Sequence, residues 1–328
     1  MTIPVLSVAG LKVEFPTRHG VLTAVDGISF DIAPGEVLGV VGESGAGKSL
    51  TGAAVIGLLE PPGRIAGGEV RLKGQRIDNL PPDRMRAIRG RRIGMVFQDP
   101  LTSLNPLYRV GDQIVETIRT HMPVTAGEAQ KRAIDLLTEV GIQGAAHRIG
   151  AYPHELSGGM RQRVVLALAL CAEQELIIAD EPTTALDVSI QAQIIQLLKR
   201  LCRERGTAVM LITHDMGVIA ETADRVAVMY AGRIAEIGPV RDVVQRPRHP
   251  YTRGLMGSIP TLEANDDRLV QIPGSMPRLT AIPKGCAFNP RCAEVLERCR
   301  QQRPEPLRIE GSEVACWLVG KAGTGASP

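Results

Sequence analysis

The sequence predicts an α/β fold, with a phosphate-loop core, an antiparallel β-layer, an inserted helical lobe and a loop-rich C-terminal extension. Three observations predict it. The apolar run Val37-Leu38-Gly39-Val40-Val41 leads into Gly42-Glu43-Ser44-Gly45-Ala46-Gly47-Lys48-Ser49, and a helix-permissive stretch, 50–59, follows. Two more apolar runs, 176–179 and 208–212, each end in polar or acidic residues, as buried strands with a ligand edge do. Apolar and polar residues alternate over 6–15, 24–32 and 69–77, which is the pattern of antiparallel strands with one wet face.

The first of these carries the chemistry. Glycines let a backbone turn so tightly that successive N–H groups point inward at phosphate oxygens, while the following helix N-terminus adds its positive end. In the pattern G-x-x-x-x-G-K-[ST], Lys48 supplies a point charge and Ser49 a hydroxyl for Mg²⁺. An ordinary glycine-rich turn is the competing explanation; the strand before and the helix after weigh against it.

Composition narrows the class. A chain of 328 residues holds about two domains. Its 44% hydrophobic and 3% aromatic content implies a core of Val, Ile, Leu and Ala. A formal charge of +3 does not ask for nucleic acid. The longest apolar run, 164–172, has nine residues and falls far short of the ~18 that a membrane span needs. No basic-then-apolar signal segment opens the chain, so the expectation is a protein that stays in the cytoplasm and reaches a membrane through partners.

Further along, Phe15 ends the first strand, where a ring could stack on adenine or simply pack in the core; His19 and Tyr108 are weaker candidates. Arg84, Arg86, Arg89, Arg91 and Arg92 read as a solvated face ahead of a short buried strand at 93–97. Helical periodicity at 110–119 and 126–140 marks the inserted lobe. Leu156-Ser157-Gly158-Gly159-Met160 opens a helix expected at 161–172, and is either an anion site or a simple Ser157 cap. Asp180 and Glu181 end the apolar run 176–179. Adjacent acids there need a cation or a water to explain them, because an unpaired buried carboxylate is costly. Asp187 follows in a turn where helix capping is the alternative, and His214 lies at the end of the 208–212 run. After Gly238, nine prolines between Pro247 and Pro306 forbid long elements.

Taken in this order, the motifs resemble those of an ATP-binding-cassette ATPase with a RecA-like core. The resemblance implies ATP and Mg²⁺, with Gly42 to Ser49 as the Walker A loop and 176–180 as Walker B. It makes Glu181 the catalytic glutamate, Gln98 the residue touching Mg²⁺ and the attacking water, and His214 the switch histidine. Mg²⁺ would then be held through Ser49, Gln98 and Asp180. Leu156 to Met160 matches the signature that meets ATP on a neighbouring cassette, although Met160 stands where glutamine is usual; Asp187 matches the D-loop aspartate. The resemblance narrows at Gln98-Asp99-Pro100-Leu101-Thr102-Ser103-Leu104-Asn105-Pro106 and at Pro247-Arg248-His249-Pro250-Tyr251-Thr252, and runs from Leu6 to Trp317. These stretches are similar to ATPase subunits of peptide/nickel importers, closest to the dipeptide and oligopeptide permease type.

That type implies peptide cargo, with nickel and glutathione as alternatives. It implies a second, related ATPase subunit, two transmembrane permease subunits, an extracytoplasmic binding protein met indirectly, no nucleic acid, and a place on the cytoplasmic face of the inner membrane. A soluble cassette protein without a transport role is the reading from another class. A small-molecule kinase would share the phosphate loop but not Ser157-Gly158-Gly159. The expected division is a core at 1–97 and 160–245, a signature lobe at 98–159, an extension at 246–320 and a disordered tail at 321–328.

Four of the six cysteines lie in the extension, spaced Cys286-x5-Cys292-x6-Cys299-x16-Cys316. A reducing cytoplasm argues against disulfides, and the C-x2–4-C pairs usual for zinc are missing. A [4Fe–4S] cluster, which the family resemblance also implies for some members, zinc, and unligated thiols all stay open. Cys171 and Cys202 read as small buried apolar residues.

Overall fold

The structure, a computed structural model, describes residues 3–183, 188–258 and 271–319. In chain order it forms β1 (Leu6–Thr17), β2 (Gly20–Ile32), β3 (Val37–Val41), α1 (Lys48–Ile56), β4 (Arg64–Leu72), β5 (Gln75–Arg76), α2 (Pro82–Ile88), β6 (Ile93–Val96) and α3 (Pro100–Ser103). There follow α4 (Val110–His121), α5 (Ala126–Glu139), α6 (Ala145–Arg148), α7 (Gly158–Ala169), β7 (Leu176–Asp180), α8 (Val188–Arg205), β8 (Ala208–Ile212) and α9 (Met216–Thr222). The chain closes with β9 (Arg225–Tyr230), β10 (Arg233–Pro239), α10 (Val240–Gln245), α11 (Pro250–Gly257), α12 (Glu297–Gln301), β11 (Leu307–Ile309) and β12 (Ser312–Val314).

Two compact units divide these elements. One takes the chain up to Leu6, Ile32–Val37 and Arg71–Leu211. In it β6 runs parallel to β7, from Ile93 opposite Leu176 to Val96 opposite Ala179, and β8 lies on the other side of β7. Every residue of β7 and β8 is buried, which explains why these strands are continuous apolar runs rather than alternating ones. Helices α4, α5 and α7 pack on one another through an apolar stripe that includes Ile114, Ile118, Ala133 and Leu137. Helix α5 starts in a reciprocal cap. The Thr125 hydroxyl accepts from the Glu128 N–H at 3.3 Å, and the Glu128 carboxylate accepts from the Thr125 N–H at 2.8 Å.

The basic run is less uniform than expected. Arg84, Arg86 and Arg91 are exposed. Arg92 instead forks onto Glu175, with Nε donating to Oε1 at 3.1 Å and Nη2 to Oε2 at 2.9 Å. A guanidinium's planar donors match a carboxylate in this way, so Arg92 ties the start of β6 to the start of β7.

The second unit takes Ser7–Asp31, Leu38–Val70 and the chain from Ile212 onward. Here β3 runs parallel to β9, from Leu38 opposite Arg225 to Val41 opposite Val228, and β9 pairs antiparallel with β10. The extension is not only loop: β12 pairs antiparallel with β10, and β11 with β12, so the sheet of β3, β9 and β10 continues into it. Its prolines confine the extension to short elements without preventing them. Among the described residues no helix is long and apolar enough to cross a membrane.

Candidate functional site

The fully buried β3 delivers the phosphate loop. Gly42 has φ 149, and a Cβ there would fall 2.2 Å from the Met229 carbonyl oxygen; Gly47 has φ 100, with a Cβ 3.0 Å from the Ala24 carbonyl oxygen. Both positions therefore need glycine, for conformation and for room. Lys48 is only 6% exposed, and its Nζ donates to the carbonyls of Gly42 at 2.7 Å and Glu43 at 3.1 Å. The ammonium is thus folded against the loop while Ser44, Gly45 and Ser49 face outward. Ala46 is buried, and its carbonyl accepts from the Gly232 N–H at 2.9 Å. His214 follows β8 in this unit and is exposed; Asp215 beside it caps α9, accepting from the N–H groups of Gly217 and Val218.

The acidic pair lies in the other unit. Asp180 ends the buried strand β7 and is 9% exposed. Glu181 has φ 45, a left-handed backbone that non-glycine residues rarely adopt. Its carboxylate accepts from the Gln98 side-chain amide at 3.0 Å, so the two residues singled out for water and Mg²⁺ chemistry do meet. Sequence reasoning missed a third participant, Gln162, which is 1% exposed and whose side-chain amide donates to the Pro182 carbonyl. It ties α7 to the turn after Glu181. Its only sequence signal is a polar residue on the buried side of a helix.

At the start of α7, Leu156 is buried and Ser157 is exposed. The Ser157 hydroxyl accepts from the Met160 N–H at 3.4 Å, so it caps the helix from an exposed position. Gly159 lies close to α8, where a Cβ would come within 3.1 Å of Ile190. Asp187 lies outside the described residues.

Phe15 is half-buried, and a Cβ added at Gly63 would fall 2.7 Å from its ring; the ring therefore packs against that turn. His19 and Tyr108 are exposed.

Cys286, Cys292, Cys299 and Cys316 all line one small cavity, together with His249 and Glu294. Burial pushes the Cys286 thiol up to about 11, and negative charge on Cys299, Cys316 and Cys292 would add to that; burial likewise raises Cys292 and Cys316. Yet among the described residues no group of three or more His, Cys, Asp or Glu side chains is arranged to hold a metal ion. The thiols converge without forming a ready ligand set. Cys171 and Cys202 are fully buried, as expected of apolar cysteines.

Comparison with known proteins places this geometry. The ABC transporter family model matches residues 25–184, and that for the oligopeptide/dipeptide transporter C-terminal region matches 235–299. The chain is 47% identical to the dipeptide transport ATP-binding protein DppD of Bacillus subtilis, over 96% of this chain and 94% of the relative. It is also 47% identical to the oligopeptide transport ATP-binding protein OppD of Salmonella typhimurium, over 95% and 93%. Among solved structures it resembles the dimeric, post-hydrolysis ATP-binding cassette MJ0796 bound to ADP and Pi, with a TM-score of 0.65 and 28% identity over 72% of this chain and 99% of that one. The cassette cbiO1 of Clostridium perfringens is similar at a TM-score of 0.64 and 29% identity, over 74% and 91%. A phosphate loop at the end of a buried strand, a glutamine-bonded glutamate after another, and near-complete matches to cassette ATPases lead to one conclusion: the chain belongs to the ABC transporter family, among its ATP-hydrolysing subunits.

Proposed function

We propose that this chain is the ATP-hydrolysing subunit of an importer for di- and oligopeptides. The observation that carries this is that one chain joins a cassette to a region matching the oligopeptide/dipeptide transporter C-terminal family, along nearly the full length of relatives named for peptide transport. In this reading Lys48 and the N–H groups of Gly42 to Ser49 grip the phosphates of ATP, with the N-terminus of α1 adding its dipole. Ser49, Gln98 and Asp180 present hydroxyl, amide and carboxylate oxygens, a hard donor set that suits Mg²⁺. When bound, that ion offsets charge on the phosphates. Glu181 takes a proton from the attacking water, Gln98 holds the Glu181 carboxylate in place, and His214 contacts the terminal phosphate.

Ser157, with Gly158, Gly159 and the start of α7, completes the ATP site of a second, related cassette, to which Asp187 also contributes. Two such subunits close on ATP and reopen after hydrolysis. Of the large hydrophobic residues left exposed among the described ones, Phe97, Leu107 and Tyr108 bracket the segment after Gln98. They are the surface for two transmembrane permease subunits, which hold the chain at the cytoplasmic face of the membrane and receive cargo from an extracytoplasmic binding protein. In the same reading the core takes 1–97 and 160–245, the signature lobe 98–159 and the extension 246–320.

A [4Fe–4S] cluster, or zinc, on Cys286, Cys292, Cys299 and Cys316 is the finer cofactor reading. Convergence of four soft donors on one cavity supports it; loading requires the thiols to draw together, and no step above passes through it.

The test is transport. The chain is reconstituted in proteoliposomes with the permease and ATPase subunits that co-purify with it. ATP-dependent uptake is measured for a dipeptide, a longer peptide, nickel and glutathione. Peptide uptake that Glu181→Gln abolishes supports the reading; uptake of nickel or glutathione alone refutes the cargo.

A further inference from the structure

The phosphate loop is gripped from behind by the C-terminal extension. Glu43, the second residue of the loop, is engaged twice. Its N–H donates to the Tyr251 hydroxyl at 2.9 Å, and its carboxylate receives Arg291 Nη1, which lies 3.0 Å from both oxygens. The Arg291 side chain is only 6% exposed. Its other donors are spent on the extension: Nε reaches the Pro273 carbonyl at 2.8 Å, and Nη2 reaches those of Ile272 and Gly274 at 3.4 Å. Around this pair Tyr230, Tyr251 and Phe288 stack edge to face or tilted, with ring centroids 4.6 to 5.4 Å apart. Such an ion pair is held in one geometry by its hydrogen bonds rather than sampled by a mobile side chain.

We propose that Arg291 and Tyr251 are positioning residues for ATP binding: they act through Glu43 to hold the phosphate loop in its receptive shape. The physical reason is local. Lys48 Nζ is bonded to the carbonyls of Gly42 and Glu43, so any shift of Glu43 moves the ammonium and the N–H groups that face the phosphates. Holding Glu43 at both its backbone and its side chain removes that freedom before nucleotide arrives, and pre-organisation of this kind is expressed as affinity. The extension is therefore part of the nucleotide site, linked to it across 248 residues of sequence.

This inference rests on the phosphate-loop reading, and the experiment separates the two. The full-length chain and its Glu43→Gln, Arg291→Met, Tyr251→Phe and Glu43→Gln/Arg291→Met variants are titrated with a fluorescent ATP analogue, alongside thermal unfolding. The expected dissociation constant rises about tenfold in each charge variant, equivalent to ~1.4 kcal/mol. The double variant is expected to bind no more weakly than the worse single one, because both substitutions remove the same ion pair. In the transport assembly Arg291→Met raises KM for ATP, while kcat at saturating ATP stays within about twofold, a split that general loosening of the fold does not produce. A folded Glu43→Gln chain with parental affinity overturns the proposal, as does a double variant whose loss is the product of the two singles. If Arg291→Met does not fold, Glu43→Gln, which keeps the side chain's volume, decides alone. A Lys48→Ala chain that binds ATP as tightly as the parent overturns the phosphate-loop reading instead.

Discussion

Glu181 sits in a backbone conformation that costs on the order of 1 kcal/mol or more for a side-chain-bearing residue. Its carboxylate accepts from Gln98 at the end of a buried strand, the placement that the proposed general-base role asks for. Glu181→Gln keeps size and hydrogen bonding but cannot take a proton. It should bind ATP with near-parental affinity and lose turnover by on the order of 10² to 10⁴-fold, the usual contribution of a positioned base; phosphate release and nucleotide titration measure the two quantities. Normal hydrolysis by this variant removes Glu181 from the base role. At this scale the sequence was legible wherever a motif occupies consecutive residues. Gly42 to Ser49 and Asp180-Glu181 announce themselves because loop and strand end are contiguous. Arg291 and Gln162 do not, since each reaches its target across the fold and in sequence looks like any arginine beside a cysteine or any glutamine in a helix.

Elements matched their sequence patterns where one period dominates. Strands β3, β7 and β8 and helices α4 and α5 fall close to their expected bounds because apolar runs and the 3.6-residue period leave little choice. The extension was less legible. Its prolines announce breaks, but pairing of β12 with β10 is a long-range contact that no local pattern encodes. Helix α11 shows how a buried cap makes stability depend on pH. Its N-cap His249 is 3% exposed, and the ring's Nδ1 accepts from the Tyr251 N–H at 3.0 Å. Burial, with a smaller push from Arg253, lowers the His249 pKa to about 4. The unfolded chain has the usual value near 6.5, so protons favour unfolding: the stability is present above about 6.5 and lost as pH falls toward 4. Nearby Glu236 is shifted upward by burial, which acts in the opposite direction. Urea unfolding should show a loss of ~2 kcal/mol between pH 7 and pH 5. His249→Asn, which keeps an acceptor at the cap, should flatten that dependence. An equal slope in the variant assigns it to other groups.

In the whole molecule, no single unit holds every candidate residue: Lys48, Ser49 and His214 belong to one, and Gln98, Ser157, Asp180 and Glu181 to the other. Ser157 is exposed at the start of a twelve-residue helix, a donor end suited to phosphate. A second cassette is what the account requires to use it. The most direct measurement is the position of Ser157 in the Glu181→Gln assembly trapped with ATP and Mg²⁺. The account predicts that each triphosphate lies between Lys48 of one cassette and Ser157, or its counterpart, of the other, with the hydroxyl about 3 Å from a terminal phosphate oxygen. A trapped assembly in which Ser157 faces solvent, beyond hydrogen-bond reach of any nucleotide, would contradict it.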